Sequence, residues 1–389
     1  MCDVAISIGR EMWLWSPTQL RAGVVEAMTM VLSEASRLDP EPKAPTRYVT
    51  LDGMRGLAAL AVALFHFNIY LMPHGYVAVD LFFVLSGFVL YRSYLPKVRA
   101  GLGTGRFMLQ RFVRLYPLFF LGLLLGVVVA ILQIVQGDTQ APSINDLLTS
   151  IAFNGLMLPS PANVAYYPFN VPSWSLLFEI IANIALIVLI FRMPRVALVA
   201  VCLVSAVGMM PIILENGSAN IGALWGEHSI ALMRTAFSFT LGVLIATLPE
   251  RHFRPAGWIG LICILATVGL LAMPVPQEWF GVFDLAIIFF FSPVLVYFGT
   301  RFEPPVFAVP FAVFFGDVSY ALYAVHWSFI EPMRDVVKIT GLSPIPAATL
   351  FLTVMVLASW MAVRWYDLPL RRKLTAMLLR DQHKSSAQR

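Results

Sequence analysis

The sequence predicts an all-α polytopic membrane protein with about ten transmembrane helices and both termini cytoplasmic. Three observations carry that expectation. Of 389 residues, 59% are hydrophobic and 13% charged, with a mean hydropathy of +0.78, whereas a soluble domain carries roughly 25% charged residues. Apolar runs of about 17–25 residues, long enough to cross a bilayer as helix, recur along most of the chain. Lysine and arginine gather in alternate connections, as they do on the cytoplasmic side of membrane proteins.

Residues 1–47 precede the first span. They hold Arg10, Glu11, Arg21, Glu26, Glu34 and Arg37, then the Pro-rich linker "LDPEPKAPTRY". No apolar h-region follows a basic start, so they do not read as a signal peptide. Residues 17–38 read either as an amphipathic surface helix or as a cytosolic extension without chemistry, with Met28 and Met30 as alternative starts. The expected organisation is this extension, a membrane domain over 48–372 and a cytosolic polar tail over 373–389.

The spans are expected at 54–72, 77–95, 115–135, 173–191, 195–213, 230–248, 256–273, 281–299, 311–330 and 347–366. Prolines and glycines punctuate the connections, as in "LMPHGY", "MPVPQEW" and "EPPVFAVP". With the N-terminus inside, the cytoplasmic connection between spans two and three carries Arg92, Lys97, Arg99, Arg106, Arg111 and Arg114. Later ones carry Arg192 and Arg195, Arg251 and Arg254, then Arg301, and the tail carries Arg371, Arg372 and Lys373. The opposite loops lack Lys and Arg, the long 136–172 segment included, except for Arg334 and Lys338 before the last span. An even span count is what keeps this alternation. The net charge of +5 is therefore spent on topology, and nucleic acid is not an expected partner.

The three cysteines form no framework: Cys2 is terminal, and Cys202 and Cys263 sit in apolar runs as small packed hydrophobes. No Cys/His cluster has metal-ligand spacing, so no metal site is expected.

Span one, "RGLAALAVALFHF", holds the first chemical signal. Arg55 and His66 lie eleven residues apart, about 20° from a whole number of turns and ~16 Å along the axis. They share a helix face, with His66 near mid-bilayer, where ionisable side chains normally face a bundle interior or a wet cavity. Alone, His66 also reads as a structural histidine and Arg55 as an interfacial anchor. In span two, "GYVAVDLFFVLSGFVLYRSYL", Asp80 either orients a histidine or acceptor hydroxyl or complements the helix N-terminus. Ser86 and Gly87 interrupt its apolar run, and Gly87 suits close helix packing.

"RFMLQRFVRLYP" repeats arginines at 106, 111 and 114, which read as phosphate-binding forks or as a flank snorkelling into headgroups. In "VPSWSLLFEI" Ser175 and Glu179 share a face. The buried Glu179 needs a partner, for which Arg234 of span six is a candidate. In "GDVSYALYAVHWSFIEP", Ser319, Tyr323 and His326 make one polar stripe, suited to a polyol or glycan or to a helix–helix seam.

Together these stretches resemble acyltransferase family 3, the integral-membrane acyltransferases of bacterial surface polysaccharides and some secondary metabolites. "LDGMRGLAALAVALFHF", "VDLFFVLSGFVL", "RFVRLYP", "VPSWSLLFEI" and "SYALYAVHW" occur in the family's order, over roughly 48–372. The resemblance implies Arg55 and His66 as the catalytic motif and Arg111 with Arg114 as the acyl-CoA site. It also implies Trp174, Ser175 and Glu179 as a supporting motif. A glutamate two residues before a proline, frequent in the family, is here Asp367 before Pro369. The SGNH-type esterase domain that some members append is not expected in a chain of this length.

Acyl transfer to a hydroxyl needs a base and positive charge near the donor. The expectation is that acyl-CoA, with acetyl the default group, docks from the cytoplasm on Arg111, Arg114 and Arg55. His66 then serves as general base or transient acyl carrier for a carbohydrate, glycolipid or lipid-linked acceptor. Asp80, Ser86, Trp174, Ser175, Glu179, Tyr323 and His326 bind acceptor or support the site. No bound cofactor is expected; acyl-CoA is a co-substrate, membrane lipids are the surroundings, and the bacterial inner membrane is the location. The competing function is a transporter or flippase in which the same buried charges form a pathway.

Overall fold

The computed structural model describes residues 47–139, 141–249 and 257–379. Expectations placed on residues 1–46 and 380–389 lie outside them. The described chain is almost wholly helical, and nine of its helices are long and apolar enough to cross a membrane. A shorter apolar helix, Gly257–Leu271, stands where the sequence places the 256–273 span.

In chain order the helices are α1 (Val49–Phe67), α2 (Ala78–Arg99), α3 (Thr104–Val135) and α4 (Ile144–Gly155). Then come α5 (Trp174–Val188), α6 (Arg195–Asn216), α7 (His228–Ala246) and α8 (Gly257–Leu271). The next span is composite: α9 (Phe280–Ala286) passes through a wider π-type turn, Ile287–Phe291, into α10 (Ser292–Gly299). It is followed by α11 (Val309–Val325) and α12 (Trp327–Thr340). Last, α13 (Pro344–Met361) continues through a π-type segment, Ala362–Asp367, into α14 (Leu368–Leu379).

Three departures from the sequence expectation bear on the site. The third span begins at Thr104 rather than at 115, because nothing in "RFMLQRFVR" breaks a helix. Arg106, Arg111 and Arg114 therefore ride on the same rod as the apolar span. The ninth ends at Val325, and its axis is interrupted at His326 before α12 begins. The long 136–172 connection holds α4, whose N-cap Ser143 accepts a hydrogen bond from the Asp146 N–H at 3.2 Å.

Packing is that of a protein solvated by lipid. Val196, Val204 and Val207 on α6 are 80%, 74% and 71% exposed, while Asp80, His74, Asp284 and Ser238 are fully enclosed. α1 lies against α11 and α2 against α7. Small residues set the second contact. A Cβ on Gly87 would fall 2.0 Å from the Phe239 carbonyl oxygen, and one on Gly242 2.0 Å from that of Val84. Without a hydrophobic force between helices in lipid, such close backbone approach supplies the attraction.

Candidate active site

The site is strung along α1. Arg55, near its start, donates from Nη2 to Asp52 Oδ1 at 2.5 Å and from Nε to Ser319 Oγ of α11 at 3.2 Å. It lines a cavity of about 240 Å³ together with Arg111, Arg114, Ser86, Glu179 and Ser319, among apolar side chains. Glu179 is the one carboxylate of this lining: its Oε1 accepts from Arg111 Nη2 at 2.8 Å and from Ser86 Oγ at 3.0 Å. Arg111 Nε is buried and without a partner, and Arg114 makes no hydrogen bond among the described residues. With Asp52 on Arg55 and Glu179 on Arg111, three guanidinium groups meet two carboxylates, which leaves an excess of positive charge and an orphan donor, a setting for an anionic ligand.

At the other end of α1 the hydrogen bonds assign the ring tautomers. His326 Nδ1 lies 2.8 Å from the Tyr323 carbonyl and 3.2 Å from that of Leu322, so it carries the proton and donates. His326 Nε2 is then an acceptor, 3.1 Å from His66 Nδ1, which also sits 3.0 Å from the Val62 carbonyl. His66 Nδ1 must be the donor to both, which leaves its Nε2 with a free lone pair. The two rings stack with centroids 5.2 Å apart, and Trp327 meets His66 edge-on. Arg334 Nη2 donates to the His66 carbonyl at 2.8 Å, capping the end of α1.

Two further cavities meet at His66. A middle one of about 220 Å³ is lined by His66, Tyr76, Trp174, Asn220, Arg234 and Tyr323. An outer vestibule of about 640 Å³ is lined by His66, Asp146, Asn163, Asn220, Trp327 and Glu331, among others. Val79 and Tyr323 line both the arginine cavity and the middle one. The Tyr323 hydroxyl donates to the Pro172 carbonyl at 2.7 Å and takes a hydrogen bond from Ser175 Oγ at 2.7 Å. The three spaces thus form a file along α1, partitioned by Val79 and Tyr323 and joined at His66.

Arg55 and His66 do share a helix, but they line different cavities. The expected Glu179–Arg234 pair is not formed. Arg234 is bound to Asp80, Nη2 to Oδ2 at 2.5 Å and Nε to Oδ1 at 3.3 Å, because α2 packs against α7. Asp80 is fully buried and lines none of the three cavities, while Trp174 packs its ring under the Arg234 guanidinium at 5.5 Å. Asp367 accepts from Arg371 at 2.9 Å. Among the described residues no group of three or more His, Cys, Asp or Glu is assembled that could hold a metal ion.

Sequence reasoning missed the vestibule residues Asp146, Asn220 and Glu331 and the buried trio His74, Tyr76 and Asp284. Arg334 did carry a signal, as one of the two cations, with Lys338, on the side otherwise bare of them.

Fold and site together define a polytopic membrane protein with cation-lined and histidine-lined spaces in series. The family model described as "Acyltransferase domain" matches residues 48–364, and the chain belongs to acyltransferase family 3. It is 24% identical over 359 residues to the peptidoglycan O-acetyltransferase OatA of Listeria monocytogenes, covering 84% of this chain and 56% of that protein. It is 26% identical over 326 residues to the putative membrane-bound transacylase BcsY of Komagataeibacter xylinus, covering 75% of this chain and 78% of that one. A third relative, protein 2 in the picA locus of Rhizobium radiobacter, is 39% identical over 154 residues, or 36% of this chain and 80% of its own. The chain thus spans little more than half the length of OatA. No solved structure matches significantly.

Proposed function

We propose that the chain transfers an acyl group, acetyl by default, from cytoplasmic acyl-CoA to a hydroxyl of a carbohydrate or glycolipid acceptor. The observation that carries this reading is the file of cavities, with Arg55, Arg111 and Arg114 at one end and His66 at the junction with the vestibule. Arg55 and His66 are ~16 Å apart along the helix. A donor serving both must keep its charge far from its reactive carbonyl, as acyl-CoA does with phosphates at one end of the pantetheine arm and the thioester at the other. The lysine and arginine distribution supports placing the arginine end, and both termini, in the cytoplasm of a bacterial inner membrane.

In this mechanism the phosphates dock on Arg111 and Arg114, with Glu179 and Ser86 holding the Arg111 fork in place. The acceptor hydroxyl lies against His66 Nε2, which takes its proton as the oxygen attacks the thioester carbon. The new C–O bond forms, the C–S bond breaks, and the thiolate leaves with the proton from His66. The Val62 carbonyl and His326 Nε2 together hold the ring in the tautomer this requires. In a variant His66 carries the acyl group transiently. The name of one relative, a peptidoglycan O-acetyltransferase, supports a glycan acceptor, and that of another, a membrane-bound transacylase, supports acyl transfer.

The test uses membranes from cells carrying the full chain or His66→Ala at equal level, given radiolabelled acetyl-CoA. Alkali-labile label should appear in envelope glycans with the native chain and be lost with the variant. Undiminished labelling by His66→Ala would sink the mechanism, and solute uptake without CoA release would favour a transporter.

A further inference from the structure

The segment 218–224, between α6 and α7, is fastened by two buried side chains, Asp284 and Arg234, and by the half-buried Glu227. Asp284 Oδ2 accepts the Ala219 N–H at 2.8 Å. Arg234 Nη1 donates to the Ala219 carbonyl at 2.7 Å and to the Ile221 carbonyl at 2.6 Å. Glu227 Oε2 accepts the N–H groups of Gly222 at 2.7 Å and Leu224 at 3.1 Å. The clamps are themselves clamped. Asp284 Oδ1 is 2.7 Å from His74 Nδ1, Asp284 Oδ2 takes the Tyr76 hydroxyl at 2.7 Å, and Arg234 is paired with Asp80.

His74, Asp80, Asp284 and Arg234 are all buried to within 1%. Enclosing ionisable groups is expensive, and apolar packing would join the same helices at lower cost. What apolar side chains cannot do is hold the N–H and C=O groups of a connecting segment in one position. At the centre of that segment is Asn220, exposed, and lining both the middle cavity and the vestibule beside His66.

We propose that Asn220 contacts the acceptor and selects which of its hydroxyls meets His66, and that Asp284 and Arg234 are positioning residues acting through it. The inference rests on the acyl-transfer reading above. A carboxamide offers a donor and an acceptor together, which matches a sugar hydroxyl or a neighbouring pair of them. Selection of this kind needs the group held to within about half an ångström by its supporting shell. The Asp284–Arg234 set supplies that shell, and a site built on a required hydrogen bond rejects misplaced hydroxyls far better than a shape does.

The test compares membranes carrying the native full chain, Asn220→Ala and Asp284→Asn, each supplied with radiolabelled acetyl-CoA. Two quantities are read: glycan label per CoA released, and the ring position of the ester in released oligosaccharides by NMR. Both variants should lower the labelling ratio about tenfold, the worth of one well-placed hydrogen bond, and spread the ester over more than one position. Tyr76→Phe, which leaves Asp284 its bonds to His74 and Ala219, should give a smaller change. The native ratio and a single ester position in Asn220→Ala would overturn the inference, as would glycan label and CoA release falling in equal proportion. If Asp284→Asn does not accumulate, Asn220→Ala decides alone, since it removes no buried bond. Equal labelling by the native chain and His66→Ala would instead overturn the underlying reading.

Discussion

His66 presents one ring nitrogen to the cavities and commits the other to His326, 260 positions away in the chain. Replacing His326 by alanine removes one of the two acceptors of the His66 Nδ1 proton and leaves the Val62 carbonyl alone to hold the ring. The expected outcome is a kcat for acyl transfer at least about tenfold lower, with the KM for acetyl-CoA unchanged, measured in membranes of equal protein content. Local periodicity placed Arg55 and His66 on one helix and gave Ser319, Tyr323 and His326 a common stripe. It could not show that this stripe faces α1, since a contact across the bundle leaves no trace in spacing. The choice of partner for Glu179 failed for the same reason. Two buried carboxylates and several arginines admit more than one pairing, and only the packing of α2 on α7 gives Arg234 to Asp80.

At the scale of elements, the α2–α7 contact combines a steric match with a buried ion pair. Gly87→Ala would put a methyl group 2.0 Å from the Phe239 carbonyl oxygen, so the helices must part. A loss of about 1–3 kcal/mol is expected, read as a lower melting temperature of the detergent-solubilised chain. Asp80→Ala, which strands a guanidinium that is 1% exposed, should cost about 3–5 kcal/mol. The double variant Asp80→Ala/Arg234→Ala should recover part of that loss, and no recovery would argue against a coupled pair. The helices themselves were legible because lipid demands long apolar runs. Their ends were less so: the arginines before span three look like a loop by charge, yet their aliphatic stems let the helix begin at Thr104.

For the whole molecule, the proposed orientation makes a labelling prediction. In a background where Cys2, Cys202 and Cys263 are alanine, Gly101→Cys should react with an impermeant maleimide only after the cells are opened. Ser143→Cys should react in intact cells, and the reverse pattern would invert the topology. The different side chains at the two ends of α1, Arg55 near its start and His66 near its end, were legible in the sequence. The vestibule was not, because its walls come from α4, α12 and the 218–224 segment, which are adjacent only in three dimensions.

The partition formed by Val79 and Tyr323 has a consequence for the cell as well as for the reaction. An enzyme that takes its donor from one compartment and its acceptor from another is in danger of short-circuiting the ion gradient its host lives on. Here Val79 and Tyr323 stand between the arginine cavity and the middle one, and the tyrosine is tethered to Ser175 and Pro172. In the proposed reading, an arm that swings Tyr323 aside fills the opening it creates. The bilayer then stays electrically sealed whether the donor is present or absent.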